Sequence, residues 1–218
     1  MHAEGRSGRA DHDALEVIAA LLLGLAAVAI AWSAYQASLW GGIQDTALAE
    51  SVLLSNRAVD EFQLADTTLA FDQALFVNLV VLLTESGVTA EEFDGFVNDG
   101  LGGFILDNMS EQADVATTDW FLNDLPLPFD DTYQDVLYAE ANRLADESSV
   151  SFETASGANR HSDDWVLAST ILAAVLFLAG ISTALRSRGT RKILMAGSTI
   201  LFLGSIAFML TLPNALSA

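Results

Sequence analysis

The sequence predicts an all-α integral membrane protein, with three transmembrane helices and an extramembrane acidic helical bundle. Three observations predict it: three long apolar runs, a block of acidic residues confined between the first two, and a short basic loop between the last two. Hydrophobic residues make up 52% of the 218 and mean hydropathy is positive, so an ordinary soluble domain is not the starting expectation.

The first run, Leu15 to about Tyr35, reads LEVIAALLLGLAAVAIAWSAY and carries one charge, Glu16, in its opening turn. The second, Trp165 to Leu185, and the third, Ile193 to Leu212, carry none. At a rise of about 1.5 Å per residue, about 20 residues cross the roughly 30 Å hydrocarbon core, so all three are long enough. The expected organisation is a cytoplasmic tail at 1–13, spans at 14–40, 163–185 and 193–213, an extracytoplasmic acidic helical domain at 41–162, a basic cytoplasmic loop at 186–192, and a tail at 214–218. Arg6 and Arg9 before the first run, and small-x-small sites such as Ala29-Ile30-Ala31 near its end, also suit a cleaved signal peptide. The length of the apolar run, and Asp11, Asp13 and Glu16 crowding its start, favour an uncleaved anchor.

Charge gives the orientation. Between Gly41 and Ser162 there are 23 Asp and Glu against three arginines, whereas the rest of the chain is neutral. The loop RSRGTRK holds four bases and no acid, which places it, and the N-terminus with it, in the cytoplasm. Three spans then put the acidic segment and the C-terminus outside. One lysine against 29 acids and no cysteine is a halophile-like composition, in which salt screens the repulsion within a carboxylate surface. A cation-collecting vestibule is the sharper reading, but no Asp-x-Asp-x-Asp-Gly loop supports it. So negative a surface argues against nucleic-acid binding.

Asp13 and Glu16 form a capping box that starts the first helix. No proline follows before Pro126, so one long helix is expected, hinged at Gly41-Gly42. Beyond the hinge Leu48, Val52, Ser55, Val59, Phe62, Asp66, Leu69, Gln73, Phe76, Val80 and Leu83 follow steps of three and four, a bundle seam interrupted by polar Ser55, Asp66 and Gln73. ALFVNLVVLLT, 74–84, is too short to span and is expected to be bundle core, with a membrane-dipping segment as the alternative. Thr89 and Glu92 cap a short helix that the glycines of DGLGGF break at 99–104; these lack the lysine of a phosphate loop. Another helix is expected from Phe104 to Phe121, then a turn at the two prolines of NDLPLPFDD. A helix capped by Asp131 should run toward Ser156 and loosen at Gly157, with Ser162 capping the second span.

Trp32, Tyr35 and Trp40 fall where the first span reaches the outer headgroups, and steps of four place Trp32, Gln36, Trp40 and Gln44 on one drifting face. A buried glutamine amide needs partners, so Gln36 or Tyr35 is expected to bond the start of the second span, among Asn159, His161, Asp163, Asp164 and Trp165. A polar ring at a pore mouth is the alternative. Ala20, Gly24, Gly180, Ala184, Gly197 and Gly204 allow close helix approach, and no span carries a charge at mid-depth, which argues against a proton relay.

An enzyme is not expected. His2, His12 and His161 have no partner at helical spacing, the acid pairs are adjacent and diverge, and no G-x-S-x-G occurs. No cofactor and no metal site are expected.

AWSAYQASLWGGIQ after the first span, a charged helical region, NRHSDDWVLASTILAAVLFLAGIST and a basic loop before a third span resemble an uncharacterised family of three-span prokaryotic integral membrane proteins, a domain of unknown function. The resemblance rests on W-x-x-Y-Q-A at 32–37 and S-D-x-x-V-L-A at 162–168 and covers about half the chain. It implies the three-span topology, and that Trp32, Tyr35, Gln36, Asp163 and Trp165 act together; it implies no activity. The expected function is a non-catalytic membrane-anchored module in the cytoplasmic membrane. Its partners are the lipid bilayer and either a second copy, as a homo-oligomer, or another membrane protein. The alternative is an oligomeric cation-conducting or cation-sensing assembly.

Overall fold

The computed structural model of the protein describes residues 4–89, 91–98, 100–123 and 128–217, with side chains from Glu16 onward except Arg188 and Ser217. Seven helices occur among them: α1 (Glu4–Ser86), α2 (Phe93–Asn98), α3 (Leu101–Asp107), α4 (Glu111–Asn123), α5 (Asp131–Leu137), α6 (Ala139–Ala184) and α7 (Arg188–Met209), followed by a 3₁₀ turn at Ala215–Ser217. The described residues contain no strand. α1, α6 and α7 are long and apolar enough to cross a membrane.

Several expected breaks are absent. α1 starts upstream of Asp13, whose side chain lies outside the described residues, and it continues through Gly41 and Gly42. α6 likewise continues through Gly157 and Ser162. Each glycine costs a helix about 1 kcal/mol, about 2 for the Gly41-Gly42 pair, which the long intact flanking turns offset. Two breaks occur where none was expected: the helix expected from Phe104 to Phe121 is divided into α3 and α4, and the one expected from Asp131 toward Ser156 is divided at Tyr138 into α5 and α6. The cap of α5 is Asp130, whose carboxylate accepts from the Tyr133 amide, rather than Asp131. Of the two prolines expected to mark the preceding turn, Pro126 lies outside the described residues.

The chain forms two compact units, Met1–Ala49 with Phe152–Ala218, and Glu50–Ser151. The second unit is narrower than the expected acidic segment, 41–162. The physical reason is a cluster in the first unit, where Ala37, Trp40, Ala158 and Trp165 are buried together and Ile43 packs against them.

In the first unit the buried side chains of α1 recur every seven residues: Ala19, Ala26, Ser33, Trp40 and Ala47, with Leu22, Ala29 and Gln36 between them. α6 answers with Ala158, Trp165, Ala168, Leu172, Val175, Ala179 and Ser182, and α7 with Met195, Ser198 and Ser205. Most of these are small, which lets backbones approach closely. Large apolar residues, among them Leu21, Leu25, Phe177, Ile193 and Ile200, point outward. The segment expected as a basic loop, 186–192, is helical from Arg188; in this first turn of α7 Arg191 is buried and its Nη2 lies 3.8 Å from Oε1 of Glu16, so the one acid in the first apolar run faces a base of that segment.

In the second unit Phe76, Leu79 and Leu83 of α1 meet Phe93, Ile105, Leu106, Met109, Ala113 and Tyr133 in a continuous core, so 74–84 contributes to a protein core there. Phe76 sits edge-on to Trp120 and Phe129, a favoured aromatic geometry. α2 and α3 cross so closely that a β-carbon on Gly103 would lie 2.0 Å from the Val97 carbonyl oxygen, which accounts for a glycine inside a helix.

Candidate functional site

Two polar centres stand out, one in each unit. The first gathers at the residues following α7. Gln36 is fully buried, and both ends of its amide are used: Nε2 donates to Oδ1 of Asn214 at 2.8 Å, and Oε1 accepts from the Ala215 amide at 3.0 Å. Trp40 and Trp165, from α1 and α6, both donate their indole N–H to the Pro213 carbonyl, at 3.2 and 3.1 Å. A carbonyl oxygen has two lone pairs and can accept both. The Ser162 hydroxyl donates to the Ala37 carbonyl at 3.1 Å instead of capping a helix, and the Trp40 and His161 rings lie 4.7 Å apart.

Gln36 therefore bonds the C-terminal segment and not the start of the second span, where partners were expected. The reason is geometric. Gln36 occupies the buried heptad face of α1, and α7 delivers Pro213-Asn214-Ala215 against that face, while Ser162 and Trp165 of α6 reach Ala37 and Pro213. Trp32 and Tyr35 lie outside the cluster; they are partly exposed, their ring centroids 6.0 Å apart. Gln44 and Asp164 are half-buried, and Asp163 is exposed, its carboxylate accepting from Asn159 at 3.3 Å. Of the residues singled out from the sequence, the structure joins Gln36, Trp40 and Trp165. Sequence reasoning missed Pro213 and Asn214 altogether.

The second centre is Asp72. Its carboxylate is fully buried yet accepts three hydrogen bonds, from the Ser110 amide (2.9 Å), the Ser110 hydroxyl (2.5 Å) and the Tyr133 hydroxyl (2.7 Å). A buried carboxylate is tolerable only with such compensation. This contact accounts for the division between α3 and α4: Asp72 takes the amide of Ser110, and Ser110 Oγ in turn accepts from Ala113 at 3.3 Å, which starts α4. Burial first, and the bond to Asp72 second, push the Tyr133 phenol above its ordinary pKa. Tyr138 is also shifted upward, by its bond to Asp66 at 2.6 Å.

The expected seam needs correction. Ser55, Asp66 and Gln73 are exposed. The inward face of α1 in this unit carries Ser51, Ala58, Ala65, Asp72 and Leu79, again one every seven residues. Small residues win this face because they permit close approach: the Ser51 hydroxyl donates to the Ser148 carbonyl, and the Ser148 hydroxyl to that of Ser51, both at 2.9 Å. Large residues would hold helix axes about 8–10 Å apart.

Among the described residues no group of three His, Cys, Asp or Glu side chains is placed to hold a metal. No protein-family model, curated protein or solved structure gives a significant match to this chain.

Proposed function

We propose that the protein is a membrane-anchored helical module that acts without catalysis, by self-association, and that it shares the three-span organisation its Trp32–Ala37 and Ser162–Ala168 elements resemble. In this reading α1, α6 and α7 cross the cytoplasmic membrane, the basic segment Arg186–Lys192 lies in the cytoplasm, and the acidic helices lie outside. One observation supports self-association above the rest. The stripe of α1 at steps of three and four carries Val52 and Val59, 54% and 49% exposed, before it reaches Phe62, which lies against Tyr138, and Leu69, which packs against the core of the second unit. Such a stripe at heptad spacing suits a second helix of the same period. Salt would screen the carboxylates that flank it, such as Asp60 and Glu61.

The chain has no cysteine, so single replacements report cleanly. Val59→Cys should form a disulfide-linked dimer in oxidised native membranes, and Arg57→Cys, exposed on another face of the helix, should not. Equal cross-linking of both, together with a native mass of one chain, would refute self-association. The alternative, a cation-conducting assembly lined by Ser, Thr and Gln, has less behind it. Ser182, Ser198 and Ser205 are buried inside the first unit and donate to the carbonyls of Ala179, Met195 and Ala168, while Gln36 is bound to the C-terminal segment.

A further inference from the structure

We propose that the cleft between α4 and α5 binds an organic cation with an apolar body. The cleft has a volume of about 600 Å³, within the roughly 300–1,000 Å³ of small-molecule sites. We take its apolar lining as the floor: Val115 of α4 and Val136 of α5, each more than half exposed to solvent, together with Pro128. Tyr133 also lines it, and its hydroxyl is tied to buried Asp72, so the wall it forms is fixed rather than free to fold inward. Three carboxylates, Glu111, Asp119 and Asp130, stand around this floor, and no basic side chain is among the lining residues.

Charge complementarity selects the occupant. An apolar anion would meet three like charges, and a small hydrated cation would gain nothing from the valines. A second copy of this chain has an unsuitable surface to offer, since the Glu50–Ser151 segment holds only two basic residues, Arg57 and Arg143. A compact molecule carrying positive charge on an apolar frame satisfies floor and rim together, and the bounded volume favours it over an extended peptide. The site does not depend on self-association.

The test uses the full chain in non-ionic detergent, titrated calorimetrically with tetraphenylphosphonium, with tetraphenylborate of the same shape and opposite charge, and with tetramethylammonium. Tetraphenylphosphonium should saturate at one per chain, and the other two should not saturate. Glu111→Gln with Asp119→Asn should weaken binding at least tenfold at an unchanged melting temperature, and Val115→Trp, which fills the floor and keeps the carboxylates, should abolish it. Equal tetraphenylphosphonium binding by wild type and both variants would overturn the proposal by assigning the heat to the micelle. Saturable tetraphenylborate binding would overturn it as well. So would rim-dependent binding of a basic peptide with none of tetraphenylphosphonium, which would assign the cleft to a protein partner.

Discussion

Replacing Gln36 by leucine tests the polar centre beside α7 most directly. Truncation to alanine confounds two effects, because emptying a fully buried position of this size adds a cavity penalty of about 2–5 kcal/mol, which would swamp any hydrogen bond. Leucine keeps most of the volume and removes only the amide. Two bonds are lost, to Asn214 Oδ1 at 2.8 Å and from the Ala215 amide at 3.0 Å. Bonds between membrane helices are worth about 0.6 kcal/mol on average and about 1.7 at most. Asn214 is exposed and Oδ1 still accepts from the Leu216 amide, so the partner side loses little. The expected destabilisation by Gln36→Leu is about 1–2 kcal/mol. In a double-mutant cycle with Asn214→Ala, the coupling should be about 0.6–1.7 kcal/mol. The assay is unfolding by SDS titration from mixed micelles, followed by tryptophan fluorescence, to which Trp40 and Trp165 at the same centre contribute. A coupling below about 0.3 kcal/mol, the additivity of residues that do not touch, would refute the claim that this bond fastens the end of α7.

Two further outcomes are expected. Asp72→Asn keeps the shape but turns an NH₂ toward one of three donors, so urea unfolding in detergent should show a loss of about 2–3 kcal/mol, with hydrogen exchange accelerated first at the start of α4; an unchanged exchange rate at Ser110 would sink this account of the α3–α4 break. Burial, and then Asp107, raise the Asp114 carboxyl, with a bond to Thr118 opposing them, so its folded pKa lies above the unfolded one. Its favourable contribution is therefore complete below the unfolded pKa and is lost as pH rises through the folded value. Asp114→Asn should melt higher than wild type at pH 7 and equal to it near pH 3, and a difference that persists at pH 3 would contradict the electrostatic origin.

The apolar runs were legible because they depend on composition over about 20 residues, as was the charge asymmetry around them. The contact faces were legible only in part, and α1 shows why: its steps of three and four do find Phe76 and Leu83, which lie in the core. Searching for large apolar residues at steps of three and four selects Val52 and Val59, which are exposed, over Ser51, Ala58 and Ala65, which are buried. Where lipid or a partner takes the large side chains, the packed face is the small one, and its signature was in the sequence as alanine and serine recurring every seven residues. Asp72 belongs to the same recurrence. Pro213 and Asn214 carried no comparable signal, since a short segment with no periodicity gives no indication that its partner lies 178 residues away.

The small-residue faces also imply a reason for the polar centre itself. In the first unit α1 presents buried Ala19, Ala26 and Ser33 at one set of heptad positions, all small and nearly interchangeable against the neighbouring helices. Sliding the helices by seven residues, about 10.5 Å, would replace one small contact with another at little loss. It would not be neutral for Gln36, Trp40 and Trp165. A slip in one direction would draw the Gln36 amide to the depth of Ala29, away from Asn214 and the Ala215 amide, leaving it unbonded among Leu22, Leu172 and Val175. An unpaired amide in such surroundings costs about 4–8 kcal/mol on a hydrocarbon scale, several times the average worth of its bonds in place. The same displacement would separate both indoles from Pro213. Polar residues on an otherwise repetitive face thus set register more than they add stability, as a single asparagine does in a coiled coil.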